Sequence, residues 1–306
     1  MLQISESDLV RKAVVTAPVS RAVVARYVAG ESVPDAVTVA GELRTTNRLA
    51  TIDYLGEDTT DAVQAATTRD TYVHLLDLLA EADLTAYGAA EVSVKLSAIG
   101  QALPADGDAI ALENARAICE AAQAAGTTVT LDMEDHTTTD RTLATLHALR
   151  EDFPWVGAVL QSYLHRTEAD CRDLATAGSR VRLCKGAYKE PASVAYQDGD
   201  DVDLSYVRCL KVLMAGDGYP MVASHDPRLV DIAAALAGHH GRSPDSYEFQ
   251  MLHGIRPAEQ ARIADRGHQM RVYVPFGEDW YGYLVRRMAE RPANVQFFLR
   301  SLATNG

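Results

Sequence analysis

The chain has 306 residues, 47% hydrophobic and 23% charged, the balance of a folded protein with a sizeable core, which excludes disorder over most of its length. A net charge of −13 opposes binding to polyphosphate, and no basic run interleaved with aromatics offsets it, so no nucleic acid partner is expected. The cysteines Cys119, Cys171, Cys184 and Cys209 form no CxxC pair, which argues against a zinc knuckle or disulfide framework and fits a reducing compartment.

The opening "MLQISESDLVRKAVV" lacks a basic start followed by an apolar h-region, and no window approaches the ~18 uncharged apolar residues of a membrane span. A cytoplasmic location is expected, with peripheral attachment to the inner face of the membrane left open. Residues 1–45 read as two or three helices packed on the main domain, for example "SDLVRKAVVTAPVSRAVVARYVAG", with Ser7 as N-cap and Gly30 as stop.

Residues 46–306 form the second unit, where β-branched or apolar runs alternate with longer helical stretches. The strand candidates are "ATIDYLG" (50–56), "AEVSVKLS" (90–97), "TTVTLDMED" (127–135), "VGAVLQSY" (156–163), "RVRLCKGA" (180–187), "PMVASHD" (220–226), "YEFQMLHG" (247–254) and "MRVYVPFG" (270–277). Helix candidates such as "IALENARAICEAAQAAG", "LSYVRCLKVLMAG" and "PRLVDIAAALAG" separate them, several ending in glycine. Eight strand–helix repeats predict parallel pairing through right-handed crossovers, most economically a closed (β/α)8 barrel of the TIM type. An open doubly wound sheet is the alternative, without its usual GxGxxG or GxxxxGK[ST] fingerprint.

A barrel carries its active site at the C-terminal ends of its strands. There the sequence places Lys95, then Asp132, Glu134 and Asp135, then Gln161, Arg182 and Lys185, then Ser224, His225 and Asp226, and finally His253 and Tyr273. The "SHD" run before Pro227 also reads as a helix cap, and His253 as a core histidine. So many charges need partners or a ligand, and they point to an anionic or zwitterionic guest.

No metal is expected: strand alternation splits Asp132 and Glu134 from Met133 and Asp135, and no HExxH or HxH accompanies them. A Schiff-base aldolase on Lys95 or Lys185 is the competing enzyme reading, and a non-catalytic binding barrel the competing class. In "YLVRRMAE", residues Tyr283, Arg286, Arg287 and Glu290 share one helical stripe, with Leu284, Val285 and Met288 opposite.

The motifs "SVKLSAIG" (93–100), "LDMEDH" (131–136), "LQSYLHR" (160–166), "RLCKGAYKEP" (182–191), "ASHD" (223–226), "YEFQMLHGI" (247–255), "RVYVPFGEDW" (271–280) and "YLVRRMAE" (283–290) run in one order over about 200 residues. In this they resemble the proline dehydrogenases, FAD-dependent barrel enzymes that occur alone or as a domain of bifunctional proline utilisation A proteins.

The resemblance implies non-covalent FAD, L-proline as substrate, hydride transfer from proline C5 to flavin N5 giving Δ1-pyrroline-5-carboxylate, and a quinone as electron acceptor. Arg286 and Arg287, with Lys95, resemble the clamp for the proline carboxylate, and Tyr273, Tyr283 and Leu252 the residues around the ring. Asp132 is similar to a family acid expected to orient Lys95 or neighbouring groups. Arg182 resembles the arginine near flavin N5, Gln161 the partner of the pyrimidine edge, and Glu290 the acid that steadies an active-site arginine. Arg287 and Glu290 are also placed beside the cofactor.

Lys185, Gly186, Ala187, Tyr188, Ser224, His225 and Asp226 look like FAD contacts. Lys189 stands where some relatives have tryptophan and Asp226 where some have asparagine, both at the adenosine end. Two arginines about 100° apart on one helix would let one planar fork meet a carboxylate while the other bridges towards the flavin. No motif specifies an oligomeric state.

Overall fold

The computed structural model describes residues 24–289, with side chains for 24–86 and 88–284, and every predicted strand forms in it. They are β1 (Leu49–Tyr54), β2 (Ala90–Val94), β3 (Val129–Leu131), β4 (Gly157–Gln161), β5 (Arg180–Cys184), β6 (Tyr219–Ala223), β7 (Glu248–Leu252) and β8 (Met270–Phe276). Each pairs in parallel with its sequence neighbour, and β1 closes on β8 with Tyr54 opposite Phe276, so the sheet is a closed barrel. The open-sheet alternative falls with that pairing.

The helices are α1 (Val33–Arg44), α2 (Ala62–Glu81), α3 (Gly107–Ala125), α4 (Thr139–Arg150), α5 (Thr167–Leu174), α6 (Gly199–Ala215), α7 (Pro227–His239), α8 (Pro257–Asp265) and α9 (Trp280–Ala289). Local chemistry moves some of their starts. Helix α6 begins five residues before the predicted Leu204 because the Asp198 carboxylate accepts the Asp200 N–H at 2.8 Å and caps it. Asp226 does the same for α7 through the Arg228 N–H at 2.9 Å, with Pro227 in the first turn.

Strand alternation sorts the interior. Ile52, Val92, Val94, Val181, Leu183, Val272 and Val274 join the apolar core that lies between sheet and helices. The intervening residues Thr51, Asp53, Glu91, Ser93, Arg182 and Arg271 are buried as well, yet they find polar partners across the barrel: Arg182 donates to Ser93 Oγ at 2.9 Å and Thr51 Oγ1 at 3.4 Å, Ser93 Oγ donates to Asp132, and Asp53 accepts from Lys95. The barrel therefore has a polar lumen rather than the usual stack of branched apolar side chains.

At the N-terminal end of the strands that lumen is closed by Glu91, Glu248, Arg180 and Arg271. Arg180 meets Glu91 at 2.6 Å and Arg271 meets Glu248 at 2.8 Å, with Arg271 also 3.8 Å from Glu91. Burial alone would raise the Glu91 carboxyl, but the two guanidiniums outweigh it and hold it at about 2.

Of the predicted N-terminal segment, residues 1–23, including Ser7, lie outside the described residues. A helical turn ends at Tyr27, three residues before the Gly30 expected to stop it, and Gly30 itself has a φ of +148°. Helix α1 buries Ala36, Ala40 and Leu43 against β1 and β8. Residues 24–30 cross the other end of the barrel: Ala29 N–H donates to Pro275 O and Gly277 N–H to Gly30 O, both at 2.9 Å. Tyr27 and Val28 pack there with Leu55, Trp280, Tyr283 and Leu284. Gly254 permits this crossing, because at its φ of +73° an added Cβ would sit 1.8 Å from Arg26 O.

Candidate active site

The C-terminal ends of the strands surround a cavity of about 470 Å³. Lys95, Asp132, Gln161, Arg182, Lys185, Gly186, Ala187, Tyr188, Ser224, His225, Asp226, Leu252, Tyr273 and Tyr283 all line it. The side chains of Arg286 and Arg287, and all of Glu290, lie outside the described residues. Tyr283, the described member of their stripe, is buried and faces the cavity.

The charged centre is a quartet. Lys95 Nζ donates to both carboxylate oxygens of Asp53, at 2.7 and 2.6 Å, and lies 4.0 Å from Asp132. Asp132 accepts instead from Arg182 Nη1 at 2.6 Å, Ser93 Oγ at 2.7 Å and the Tyr273 hydroxyl at 2.8 Å. The Arg182 guanidinium also sits 5.4 Å from the Tyr273 ring centroid, close enough for a cation–π contact. Burial disfavours the Lys95 ammonium, but the Asp53 and Asp132 carboxylates outweigh it and keep the amine protonated well above its usual range.

Two sequence expectations change here. Lys95 and Arg182 have carboxylate partners within the chain, so their charges do not by themselves demand an anionic guest. A protonated, doubly bonded Lys95 is also no nucleophile, which removes the Schiff-base reading at that position. Lys185 is likewise engaged, in an ion pair with Asp203 and 3.8 Å from Asp226.

The split drawn along "DMED" is corrected too. Strand β3 ends at Leu131, so residues 132–135 belong to the following loop and strand alternation does not govern them. Glu134 accepts from Ser97 Oγ at 2.5 Å and Ser97 N–H at 3.1 Å, and Asp135 from the Thr137 N–H at 2.9 Å. Among the described residues no group of three or more His, Cys, Asp or Glu could hold a metal ion.

Gln161 has a definite polarity. Its Nε2 donates to the backbone carbonyls of Met133 and Glu134, each at 2.9 Å, which fixes the amide orientation. Its Oε1 is buried and accepts nothing among the described residues, so it offers an acceptor to an N–H of whatever fills the cavity. His225 is fixed similarly: its Nε2 accepts the Leu252 N–H at 2.9 Å, placing any proton on Nδ1. Asp226 both caps α7 and lines the cavity, and Arg228 holds its carboxyl down at about 2.

The structure adds lining residues that strand ends alone do not reveal: Asp53, Glu57, Met133, Val159, Cys184, Ala223, Gln250 and Met251. Asp53 is the most consequential of them. Its signal is an acid in the buried run "ATIDYLG", where a strand inside a helical shell has no reason to carry a charge unless a partner meets it.

The sequence profile of a family described as "Proline dehydrogenase" matches residues 36–300. Proline dehydrogenase 1 of Bacillus subtilis (strain 168) is 37% identical over 277 residues, covering 90% of this chain and 89% of that protein. A proline dehydrogenase of Deinococcus radiodurans is 39% identical over 279 residues, with 90% and 89% covered. Among solved structures, proline utilization A (PutA) from Bdellovibrio bacteriovorus, inactivated by N-propargylglycine, superposes with a TM-score of 0.80 at 26% identity. The alignment covers 88% of this chain but only 32% of the PutA chain.

Proposed function

The chain belongs to the proline dehydrogenase family and is an oxidoreductase of proline catabolism, and on that premise we propose that its cavity holds a non-covalent FAD beside L-proline. On this reading the product is Δ1-pyrroline-5-carboxylate and the electrons pass to a quinone, with peripheral contact at the cytoplasmic face of a membrane. Among the described residues no helix is long and apolar enough to cross one. We further propose that residues 1–45 act as a brace for the barrel formed by 46–306.

The observation that carries the cofactor reading is the orphaned Gln161 Oε1. It presents a buried acceptor at the wall of the cavity, where Gln250 Oε1 and Arg182 Nε are likewise unpaired among the described residues, and the imide N–H on the pyrimidine edge of a flavin is a donor of the right kind. Gly186 also lines the cavity, at a φ of +112° that residues other than glycine rarely adopt. Lys185, Gly186, Ala187, Tyr188, Ser224, His225 and Asp226 would form the remaining contacts. Bound there, FAD supplies the two-electron acceptor for hydride from proline C5, which no side chain can provide.

The chain's own part is placement and charge. Asp53 keeps Lys95 charged, and Asp132 holds Arg182 and the Tyr273 hydroxyl in fixed positions, so the cations beside the reacting atoms need no reorganisation. Tyr283 and Leu252 would cover the ring, and Arg286 and Arg287 would clamp the carboxylate, steadied by Glu290.

The purified protein should be yellow, with a flavin spectrum that proline bleaches under anaerobic conditions and a quinone analogue restores. Colourless protein that takes up no FAD overturns the reading. Arg286→Met should raise the proline KM by the loss of a charge-assisted bond, about 1.5–3 kcal/mol, with FAD still bound. An unchanged KM removes the clamp.

A further inference from the structure

The segment after β5 begins with Lys185–Tyr188, four consecutive cavity-lining residues, none of them buried. Two positions later comes Glu190, outside the lining, with only 3% of its side chain exposed. A carboxylate placed there loses its hydration and needs strong donors in return. It finds them on two other loops. The His136 N–H from the β3–α4 loop donates to Oε1 at 2.9 Å, the Tyr163 hydroxyl from the β4–α5 loop reaches the same oxygen at 3.2 Å, and His136 Nδ1 contacts Oε2.

Tyr163 extends the link to the cavity wall. Its N–H donates to Lys185 O at 2.9 Å, and its ring fills the space where a Cβ on Gly186 would lie, 2.4 Å from Cε1. Its own carbonyl accepts the Tyr196 N–H at 2.8 Å, which pins the far end of the same β5–α6 loop. Burial and the adjacent Glu190 carboxylate push the Tyr163 hydroxyl well above its usual range, so it remains a donor.

We propose that Glu190 is a positioning residue for the cofactor site, joining three loops so that the Lys185–Tyr188 wall is held in its binding shape before the cofactor arrives. The proposal rests on the reading that FAD fills the cavity. Holding the wall in advance removes its ordering entropy from the binding equilibrium, so the effect belongs to cofactor affinity rather than to proline affinity.

The test uses flavin-free protein, wild type and the variants Glu190→Ala, Glu190→Gln and Tyr163→Phe. FAD affinity is read from quenching of flavin fluorescence, and amide hydrogen exchange is read on the same proteins without flavin. Glu190→Ala should weaken FAD by about 10-fold or more and speed exchange within residues 185–190 while the barrel strands stay protected, with proline KM at saturating FAD within about 2-fold of wild type. Glu190→Gln, which keeps an acceptor for the His136 N–H, should restore part of the affinity, and Tyr163→Phe should lose about 2- to 5-fold.

Wild-type FAD affinity in Glu190→Ala, or unchanged exchange at 185–190, overturns the proposal. If Glu190→Ala does not fold, Glu190→Gln and Tyr163→Phe decide it by the same two readings. Wild-type protein that binds no FAD defeats the cofactor reading instead, while the exchange data still decide whether Glu190 holds the loop.

Discussion

The two ends of the barrel lumen each carry a quartet of two acids and two bases, and they serve different ends. At the N-terminal end Glu91, Glu248, Arg180 and Arg271 close on one another and take no part in the lining of the active-site cavity. At the C-terminal end Asp53, Asp132, Lys95 and Arg182 are paired just as closely, yet all four border the cavity. Ion pairing alone thus does not distinguish a structural plug from a reactive centre. The distinction is whether the active-site cavity adjoins the pair.

Substitution at the closed end should give the largest effect. Glu91→Gln leaves two guanidiniums facing a neutral amide in a dry interior and should cost about 3–5 kcal/mol of stability in urea unfolding, with proline KM unchanged. Acid should act through the same residue. Its folded-state value of about 2 lies below the ordinary 4.5, so its contribution is complete above pH 4.5 and is lost as pH falls towards 2. Equilibrium unfolding across that window should show a loss of stability that Glu91→Gln lacks. Equal acid sensitivity in the variant would show that the plug is not the sensor.

Asp53→Asn should be milder in stability and sharper in function. It removes the bidentate partner of Lys95, which borders the cavity and so regains solvation that Arg271 cannot. The expected loss is about 1.5–3 kcal/mol in kcat/KM for proline, with a smaller shift in unfolding midpoint than Glu91→Gln. If the two variants destabilise equally and Asp53→Asn keeps full activity, the contrast between the ends is wrong.

Gln161→Leu should show the smallest change, raising the FAD dissociation constant by about 2- to 10-fold, the worth of one neutral hydrogen bond. Flavin titration checks it. Unaltered affinity would mean that the orphaned oxygen faces no cofactor donor.

The strands are legible in the sequence because each is a short β-branched or apolar run between longer helical stretches, and all eight lie where those runs put them. Closure is legible only through the count of repeats, since the β1–β8 pairing joins the most distant strands. The cavity wall follows from reading strand ends, which finds Lys95, Gln161 and Tyr273.

C-terminal strand ends miss Asp53, Glu91, Glu248 and Arg271 because these sit within strands or, for Glu248, at the opposite end. Their signal is the shared phase in "EVSVK", where Glu91, Ser93 and Lys95 alternate with apolar residues, a pattern that places charge in the lumen from bottom to top. Which acid meets which base is not written locally. Lys95 finds Asp53 and Arg182 finds Asp132 across separations of 42 and 50 residues, distances only the closed sheet brings together.

Ring closure also has a meaning for biosynthesis. Until β8 has left the ribosome, β1 and β7 each present an unpaired row of amides and carbonyls, the template on which nascent chains cross-pair and aggregate. Removing that hazard falls to the last of the eight strands to be made, so yield in the cell should track how quickly β8 docks rather than how tightly the finished barrel holds.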